Sequence, residues 1–121
     1  MRVFALALAS IALSVAAQFL LKDGMGRIAS RMLPDQVSTL RTFAAAAAEP
    51  SVIAGFALYG MGALVWLLVL RDWDVSKAYP LVGLGFAATL LLGWSMGENV
   101  TPARGAGVAL ICIGVALVGR S

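Results

Sequence analysis

Metal-ligating and charged side chains are scarce in this sequence. It has no histidine, one cysteine (Cys112) and six acidic residues among 121. A lone cysteine cannot close an intrachain disulfide, which excludes a disulfide-stapled secreted domain. The sequence also has no metal-ligand cluster, no phosphate-cradling glycine loop and no nucleophile with a nearby base. It therefore predicts neither an enzyme nor a bound metal or cofactor.

Apolar residues dominate the composition of the chain. Hydrophobic residues make up 61% of the chain, charged residues 12%, and the mean hydropathy is +0.94. This composition excludes an ordinary soluble domain and a disordered segment. Four runs carry no charge, at residues 3–21, 51–70, 78–97 and 105–119. Since about 20 apolar residues cross a bilayer, and arginines flanking the short fourth run can extend to the interfaces, each run predicts one crossing.

We therefore predict an all-α membrane protein that forms a single domain over residues 1–121. Its transmembrane helices are expected at about 3–22, 51–70, 78–97 and 103–119, with a loop over 23–50. The short turns between the later helices predict antiparallel neighbours. The first uncharged run is longer than the apolar part of a cleavable signal peptide, which favours a membrane span there.

The predicted loop contains two amphipathic segments, one on each side of Pro34. Both fit either short helices lying on the membrane or a solvated loop with an alanine-rich helical stretch. The apolar residues at helical spacing are Met25, Ile28, Ala29, Met32 and Leu33, followed by Val37, Leu40, Phe43, Ala44 and Ala47.

Basic residues are almost evenly divided between the two ends of the predicted bundle. Four lie on the side of the termini and five on the other side, so the positive-inside rule barely biases insertion. No basic cluster is dense enough to predict nucleic-acid binding. We expect a dimer, antiparallel in view of this balance. The two sets are Arg2, Arg71, Lys77 and Arg120, against Lys22, Arg27, Arg31, Arg41 and Arg104.

A polar stripe runs along the first predicted helix, through Ser10, Ser14, Gln18 and Lys22. The spacing of four residues places these side chains on one slowly drifting face. Serine in a membrane helix often hydrogen-bonds to a backbone group, which is the expected role of Ser10. The several donors and acceptors of the Gln18 amide favour an inward or ligand-lined setting. Lys22 either extends to the interface or holds an anion.

Further candidate residues lie on the other helices. Trp66 and Tyr79 either line a pocket or belong to the aromatic belt of the interface. All six acids lie at or beyond helix ends, which argues against a buried carboxylate proton relay, although Glu98 could reach a cavity. Gly107 and Gly114, seven residues apart, predict a smooth helix face for a dimer contact.

The combined pattern resembles the small multidrug resistance family within the drug/metabolite transporter superfamily. Within it, the chain is most similar to the branch of subunits that flip undecaprenyl-phosphate-linked aminoarabinose. The resemblance covers nearly all of the chain outside residues 27–50. It rests on Ala17-Gln18 and Lys22, on Trp66-Leu67-Leu68-Val69-Leu70, on Ala78-Tyr79-Pro80-Leu81, and on Gly97-Glu98 followed by Thr101-Pro102-Ala103-Arg104.

Two departures separate the chain from the cation exporters of that family. Those proteins carry a glutamate in the first helix where Ser14 stands, and a tryptophan in the third helix where Val82 stands. Proton-coupled export of cationic drugs is thereby disfavoured. The resemblance to the flippase branch implies paired subunits, homodimeric or heterodimeric, in the bacterial inner membrane.

The leading interpretation is translocation of a polyprenyl-phosphate-linked sugar across that membrane, without a cofactor. A dimer must build the cavity, with the lipid tail left among membrane lipids. The residues expected to bind substrate are Ser14 and Gln18 for hydrogen bonding, Lys22 and Arg104 for the phosphate, Trp66 and Tyr79 along the route, and Glu98 at its end. Two alternatives stay open: an exporter of small cations or polar metabolites, and an accessory membrane subunit of a glycolipid-modifying complex.

Overall fold

The computed structural model describes residues 1–36 and 38–121, without the side chain of Gln36, and this part of the chain contains helices and no β-strand. The helices are α1 (Arg2–Arg31), α2 (Thr39–Ala48), α3 (Pro50–Asp72), α4 (Val75–Ala78), α5 (Gly83–Ser95) and α6 (Pro102–Arg120), with 3₁₀ turns at Pro34–Gln36 and Tyr79–Val82. Within the described part of the chain, four helical segments are long and apolar enough to cross a membrane: α1, α3, the stretch Val75–Ser95, and α6. The prediction of an all-α protein with four spans is confirmed.

Helix α1 continues to Arg31, so the predicted helix end near residue 22 and the loop from residue 23 are wrong. Most of the first amphipathic segment is the last part of α1, and its residues Met32 and Leu33 follow the helix end. Burial of Ile28, which is 2% exposed, and the close approach of α3 at Gly24 stabilise this extension. A side chain added at Gly24 would lie 2.6 Å from Cγ2 of Val52, so the two helices approach closely here.

The second amphipathic segment forms α2. Its N-cap is Ser38, whose hydroxyl oxygen accepts a hydrogen bond from the backbone N–H of Arg41 at 3.2 Å. Val37, which the sequence pattern assigned to this segment, lies outside the described residues. Leu40 and Phe43 are 80% and 68% exposed, so the apolar face of α2 does not pack against the rest of the chain. Its position on a membrane surface stays a prediction.

The third span is divided, whereas the sequence predicts one helix over 78–97. A 3₁₀ turn at Tyr79–Val82 separates α4 from α5, because Pro80 has no N–H to donate to an α-helical ladder. At the other end α5 closes with a Schellman motif, in which Gly97 adopts φ +91°. The N–H of Glu98 bonds to Gly93 O at 2.9 Å, and that of Gly97 bonds to Trp94 O at 3.1 Å. The helix therefore ends at Ser95.

The core forms where α1 packs against α3 and α5. On α3, Gly62 lets α1 approach so closely that an added Cβ would lie 3.2 Å from Ser10 O. At the same crossing the Ser10 hydroxyl donates a 2.7 Å hydrogen bond to Gly62 O, which confirms the structural role predicted for Ser10. On α5, Gly85 receives Ile11 and Gly83 faces Ile111 of α6, so both glycines permit close helix packing.

Helix α6 lies at the edge of this bundle. Val115 is its buried residue, at 7% exposure, while Leu110 and Leu117 are 69% and 65% exposed. Most of α6 is therefore available to lipid or to a second subunit.

Candidate functional site

A cleft of about 310 Å³ opens between α1, α3, α5 and the 3₁₀ turn at Tyr79, and we call it the central cleft. Its wall combines aromatic and aliphatic side chains with hydroxyl and amide groups inside otherwise apolar spans. The polar and aromatic lining residues are Ser10, Ser14, Gln18, Tyr59, Trp66, Tyr79, Phe86 and Thr89.

Four of the predicted site residues, Ser14, Gln18, Trp66 and Tyr79, line this one cleft. Trp66 and Tyr79 line it although one is carried by α3 and the other by the 3₁₀ turn before α5. The polar stripe of α1 therefore faces other helices at these positions. Whether these residues bind a substrate stays a prediction.

Tyr59 is a cleft residue that sequence reasoning missed. The Gln18 side-chain amide donates a long, 3.4 Å hydrogen bond to the Tyr59 hydroxyl. This leaves the amide oxygen and a second N–H of Gln18 for another partner. The available signal was spacing: Tyr59 precedes Trp66 by seven residues, or two turns, so both lie on one face of α3.

Thr89 was missed as well, but its hydroxyl is already used. It donates a 2.7 Å hydrogen bond to Gly85 O one turn earlier in α5. Threonine in a helix commonly bonds back in this way. The polar groups of the cleft that remain for a ligand are therefore concentrated on the α1 and α3 walls and at Tyr79.

The predicted charged residues lie outside the central cleft. Lys22 and Glu98 line a second cleft of about 400 Å³ between the last turns of α1 and the connection after α5, which we call the end cleft. Arg104 and Glu98 line a third of about 420 Å³ between α5 and α6, which we call the side cleft. The single site that the sequence predicted is thus divided into a polar and aromatic centre and a charged periphery.

The side cleft shares lining residues with each of the other two clefts. Phe86 and Thr89 line both the central and the side cleft, and Glu98 lines both the side and the end cleft. Along α1, the face that carries Gln18 in the central cleft continues one turn later to Lys22 in the end cleft. One face of α1 therefore leads from the central cleft toward the end cleft.

Arg104 is attached to the connection between α5 and α6. Its guanidinium donates to Asn99 O at 2.9 Å, and its backbone N–H bonds to the N-cap hydroxyl of Thr101 at 3.2 Å. Several N–H donors of the guanidinium remain, because arginine carries five.

A charged cluster joins the α1 extension to the start of α3, and the sequence analysis missed it. The carboxylate of Glu49 is 4% exposed and pairs with Arg31 and, at 3.6 Å, with Arg27. Arg27 also pairs with Asp23 at 3.2 Å, and Asp23 accepts a 3.1 Å hydrogen bond from Ser51. Both arginines are more than half exposed and contribute little individually, but the buried carboxylate needs a cation. The cluster holds one wall of the end cleft in place.

Gly107 and Gly114 border the clefts between α5 and α6. A Cβ added at either would meet no atom of the described residues within 4 Å. Gly107 lines the side cleft, and Gly114 lines a further cleft beside Tyr79. Both therefore have open space beside them, and their role in a dimer contact stays a prediction.

Comparison with known proteins gives relatives that match most of the chain. The chain is 36% identical over 119 residues to the probable 4-amino-4-deoxy-L-arabinose-phosphoundecaprenol flippase subunit ArnF of Pseudomonas fluorescens, covering 94% of this chain and 85% of that protein. It is 34% identical over 105 residues to the probable subunit ArnE of Pseudomonas aeruginosa, covering 84% and 91%.

A shorter match has higher identity. The chain is 48% identical over 65 residues to the probable ArnE subunit of Pseudomonas savastanoi pv. phaseolicola, and this match covers 53% of this chain and 57% of that protein. No protein-family profile and no solved structure matches the chain. The two longer matches exceed 30% identity and cover most of this chain and most of each relative. They establish that the chain belongs to the family of 4-amino-4-deoxy-L-arabinose-phosphoundecaprenol flippase subunits.

Proposed function

We propose that this protein is a flippase subunit that moves a polyprenyl-phosphate-linked amino sugar across the bacterial inner membrane. The observation that carries the proposal is the central cleft, where Gln18 of α1 and Tyr59 of α3 present hydrogen-bonding groups within apolar spans. Such groups are costly beside lipid and favourable beside a hydroxylated headgroup. Membership of a family whose named substrate is a glycolipid supports the same conclusion.

The central cleft can provide binding sites but encloses little volume. Its 310 Å³ lies at the lower end of ligand pockets, which range from about 300 to 1,000 Å³. A sugar phosphate with its remaining hydration needs more room, so a second subunit would complete the cavity. The relatives are named as subunits, which supports a related chain as the partner. The polyprenyl tail would stay in lipid beside the open clefts.

The three clefts would contact different parts of the ligand. Ser14 and Gln18 would hydrogen-bond the sugar hydroxyls, while Trp66 and Tyr79 would line the route. Lys22 and Arg104, at the periphery, would neutralise the phosphate with charge-assisted hydrogen bonds. In this arrangement the protein binds and guides the headgroup, and no covalent step is required.

Export of small cations is the second candidate, favoured by the aromatic content of the central cleft. Tyr59, Trp66, Tyr79 and Phe86 line it, and aromatic rings attract cations. Among the described residues, however, no carboxylate lines this cleft, so the cleft lacks the negative charge that would bind a cation strongly. The glycolipid is therefore the better match.

Ligand-dependent thermal stability of the purified protein separates these functions. A short-chain polyprenyl phosphate carrying the amino sugar should raise the unfolding temperature, and a quaternary ammonium compound should not. Gln18→Leu should weaken the glycolipid effect by about tenfold in apparent affinity, because the headgroup then loses a partner in the cleft. Ala44→Leu, at an exposed position of α2, is the control and should behave like the parent. Equal glycolipid binding and flipping by Gln18→Leu would instead favour an accessory subunit.

The face of α6 that carries Gly114 is expected to contact a second subunit. Because a Cβ added there meets no atom of the described residues within 4 Å, Gly114→Leu should leave the monomer folded and weaken the dimer. Ala116→Leu adds a larger side chain about 200° around the same helix and serves as the matched control. Crosslinking in membranes measures the dimerisation of both variants. A Gly114→Leu variant that dimerises like the parent would exclude this face as the interface.

A further inference from the structure

The carboxylate of Glu98 occupies a defined position at the junction of the end and side clefts. The Schellman motif fixes the Glu98 backbone through its 2.9 Å hydrogen bond to Gly93 O. The side chain then folds back over Gly93, where an added Cβ would collide with the Glu98 carboxylate. The missing side chain at Gly93 thus creates the space that this carboxylate fills.

Glu98 and Lys22 are the charges of the end cleft that have no ion-pair partner within residues 1–36 and 38–121. The other two charged residues of this cleft, Asp23 and Arg27, pair with each other at 3.2 Å. The cleft therefore offers one free cation and one free anion on opposite elements, α1 and the connection after α5. This is the complement of a ligand that carries both a phosphate and an ammonium group.

We infer that Glu98 recognises the amino group of the glycolipid while Lys22 holds its phosphate, an inference that rests on the proposed function. The relatives' named substrate has both groups, a phosphate and a 4-amino substituent on the sugar. A primary amine is protonated near neutral pH, and a charge-assisted hydrogen bond to a carboxylate is about twice as strong as a neutral one. The inference assigns Glu98 a role in specificity: it distinguishes an amino sugar from the corresponding neutral sugar.

The position of Glu98 along the connected clefts supports this assignment. Gln18 lines the central cleft, and Lys22, one helical turn later on α1, lines the end cleft together with Glu98, so a headgroup that moves along α1 in this direction reaches both charges. Glu98 also borders the side cleft, which Arg104 lines, so the carboxylate stays within reach of a ligand moving toward α6.

The test compares two ligands and three proteins in nanodiscs of phosphatidylglycerol. The ligands are short-chain polyprenyl phosphates carrying 4-amino-4-deoxyarabinose or arabinose, and the measurement is the ratio of their dissociation constants. The parent should prefer the amino sugar by about tenfold. Glu98→Gln keeps the backbone motif and should reduce this preference to within twofold. Asp35→Asn removes an acidic side chain from another exposed site and should keep the full preference.

A second variant tests position rather than charge. Gly93→Ala keeps every charge but displaces the Glu98 carboxylate, so the preference should fall by at least threefold. Full preference in either Glu98→Gln or Gly93→Ala would overturn the inference. Equal affinity of the parent for both ligands would also overturn it while leaving the proposed function intact, whereas binding of neither ligand would contradict the proposed function itself.

Phosphatidylethanolamine also combines a phosphate with a primary ammonium group, so one further comparison distinguishes the two sources. If the end cleft binds the glycolipid, the dissociation constant of the glycolipid should change by less than twofold in nanodiscs that contain phosphatidylethanolamine. A tenfold weakening there, absent in Glu98→Gln, would assign the cleft to bulk lipid and overturn the inference.

Discussion

Replacing Lys22 by methionine is expected to weaken binding of the anionic glycolipid by about 10- to 100-fold. Methionine keeps an apolar stem of similar length and removes the charge, so the change isolates the electrostatic contribution. A hydrogen bond to a charged group contributes about 1.5 to 3 kcal/mol, and 1.4 kcal/mol corresponds to a factor of ten. Since Lys22 has no ion-pair partner among the residues that the structure describes, its loss leaves no buried charge behind.

Arg104→Gln should also weaken binding of the anionic glycolipid. The start of α6 is preserved, because the N-cap bond from Thr101 uses the backbone N–H of Arg104 rather than its side chain. Arg41→Gln is the matched control: it removes one positive charge from α2 and none from the clefts, so it corrects for the change in net charge. The measurement is titration of the glycolipid at two salt concentrations, since loss of an ionic contact also reduces the salt dependence.

Unchanged affinity in both Lys22→Met and Arg104→Gln would remove the charged periphery from the binding site. Together with normal flipping by Gln18→Leu, that result would favour the accessory subunit over the flippase. A loss confined to Arg104→Gln would place the phosphate in the side cleft rather than the end cleft.

The spans and the inward polar face could be predicted from sequence because both depend on local periodicity. Uncharged runs of about 20 residues identify membrane helices, and a spacing of four identifies one helix face. The expected gathering of Ser14 and Gln18 with Trp66 and Tyr79 also follows from the antiparallel order of short-looped helices. These properties need no knowledge of the distances between helices.

What the sequence analysis missed depends on tertiary contacts. The extension of α1 to Arg31 is stabilised by Glu49, a residue 18 positions later in the chain. The helical spacing over residues 25–33 indicated a helix there, but it could not show that this helix is continuous with the first span. The 3₁₀ turn before α5 could be suspected from Pro80 but its length could not. The division of the charged residues among separate clefts follows from helix crossings, which residue spacing alone does not determine.

At the crossing of α1 and α3, Gly62→Leu is expected to lower the free energy of unfolding by about 2 to 4 kcal/mol. An added Cβ would lie 3.2 Å from Ser10 O and 3.3 Å from Cβ of Leu13, and the backbone oxygen cannot move without moving the helix. Separation of the helices would also break the 2.7 Å hydrogen bond from Ser10 to Gly62 O. Because the same crossing forms one wall of the central cleft, glycolipid binding should weaken in parallel.

Gly60→Leu is the matched control for this prediction. It lies two residues earlier on α3, and an added side chain there meets no atom within 4 Å. Both substitutions gain the same helix propensity over glycine, about 1 kcal/mol, so their difference reports the packing at Gly62 alone. Thermal unfolding in detergent, with and without the glycolipid, measures the difference in stability and in glycolipid binding between the two variants. If the two variants unfold at the same temperature and bind equally, α1 and α3 do not approach as closely as described, and the central cleft would need a different wall.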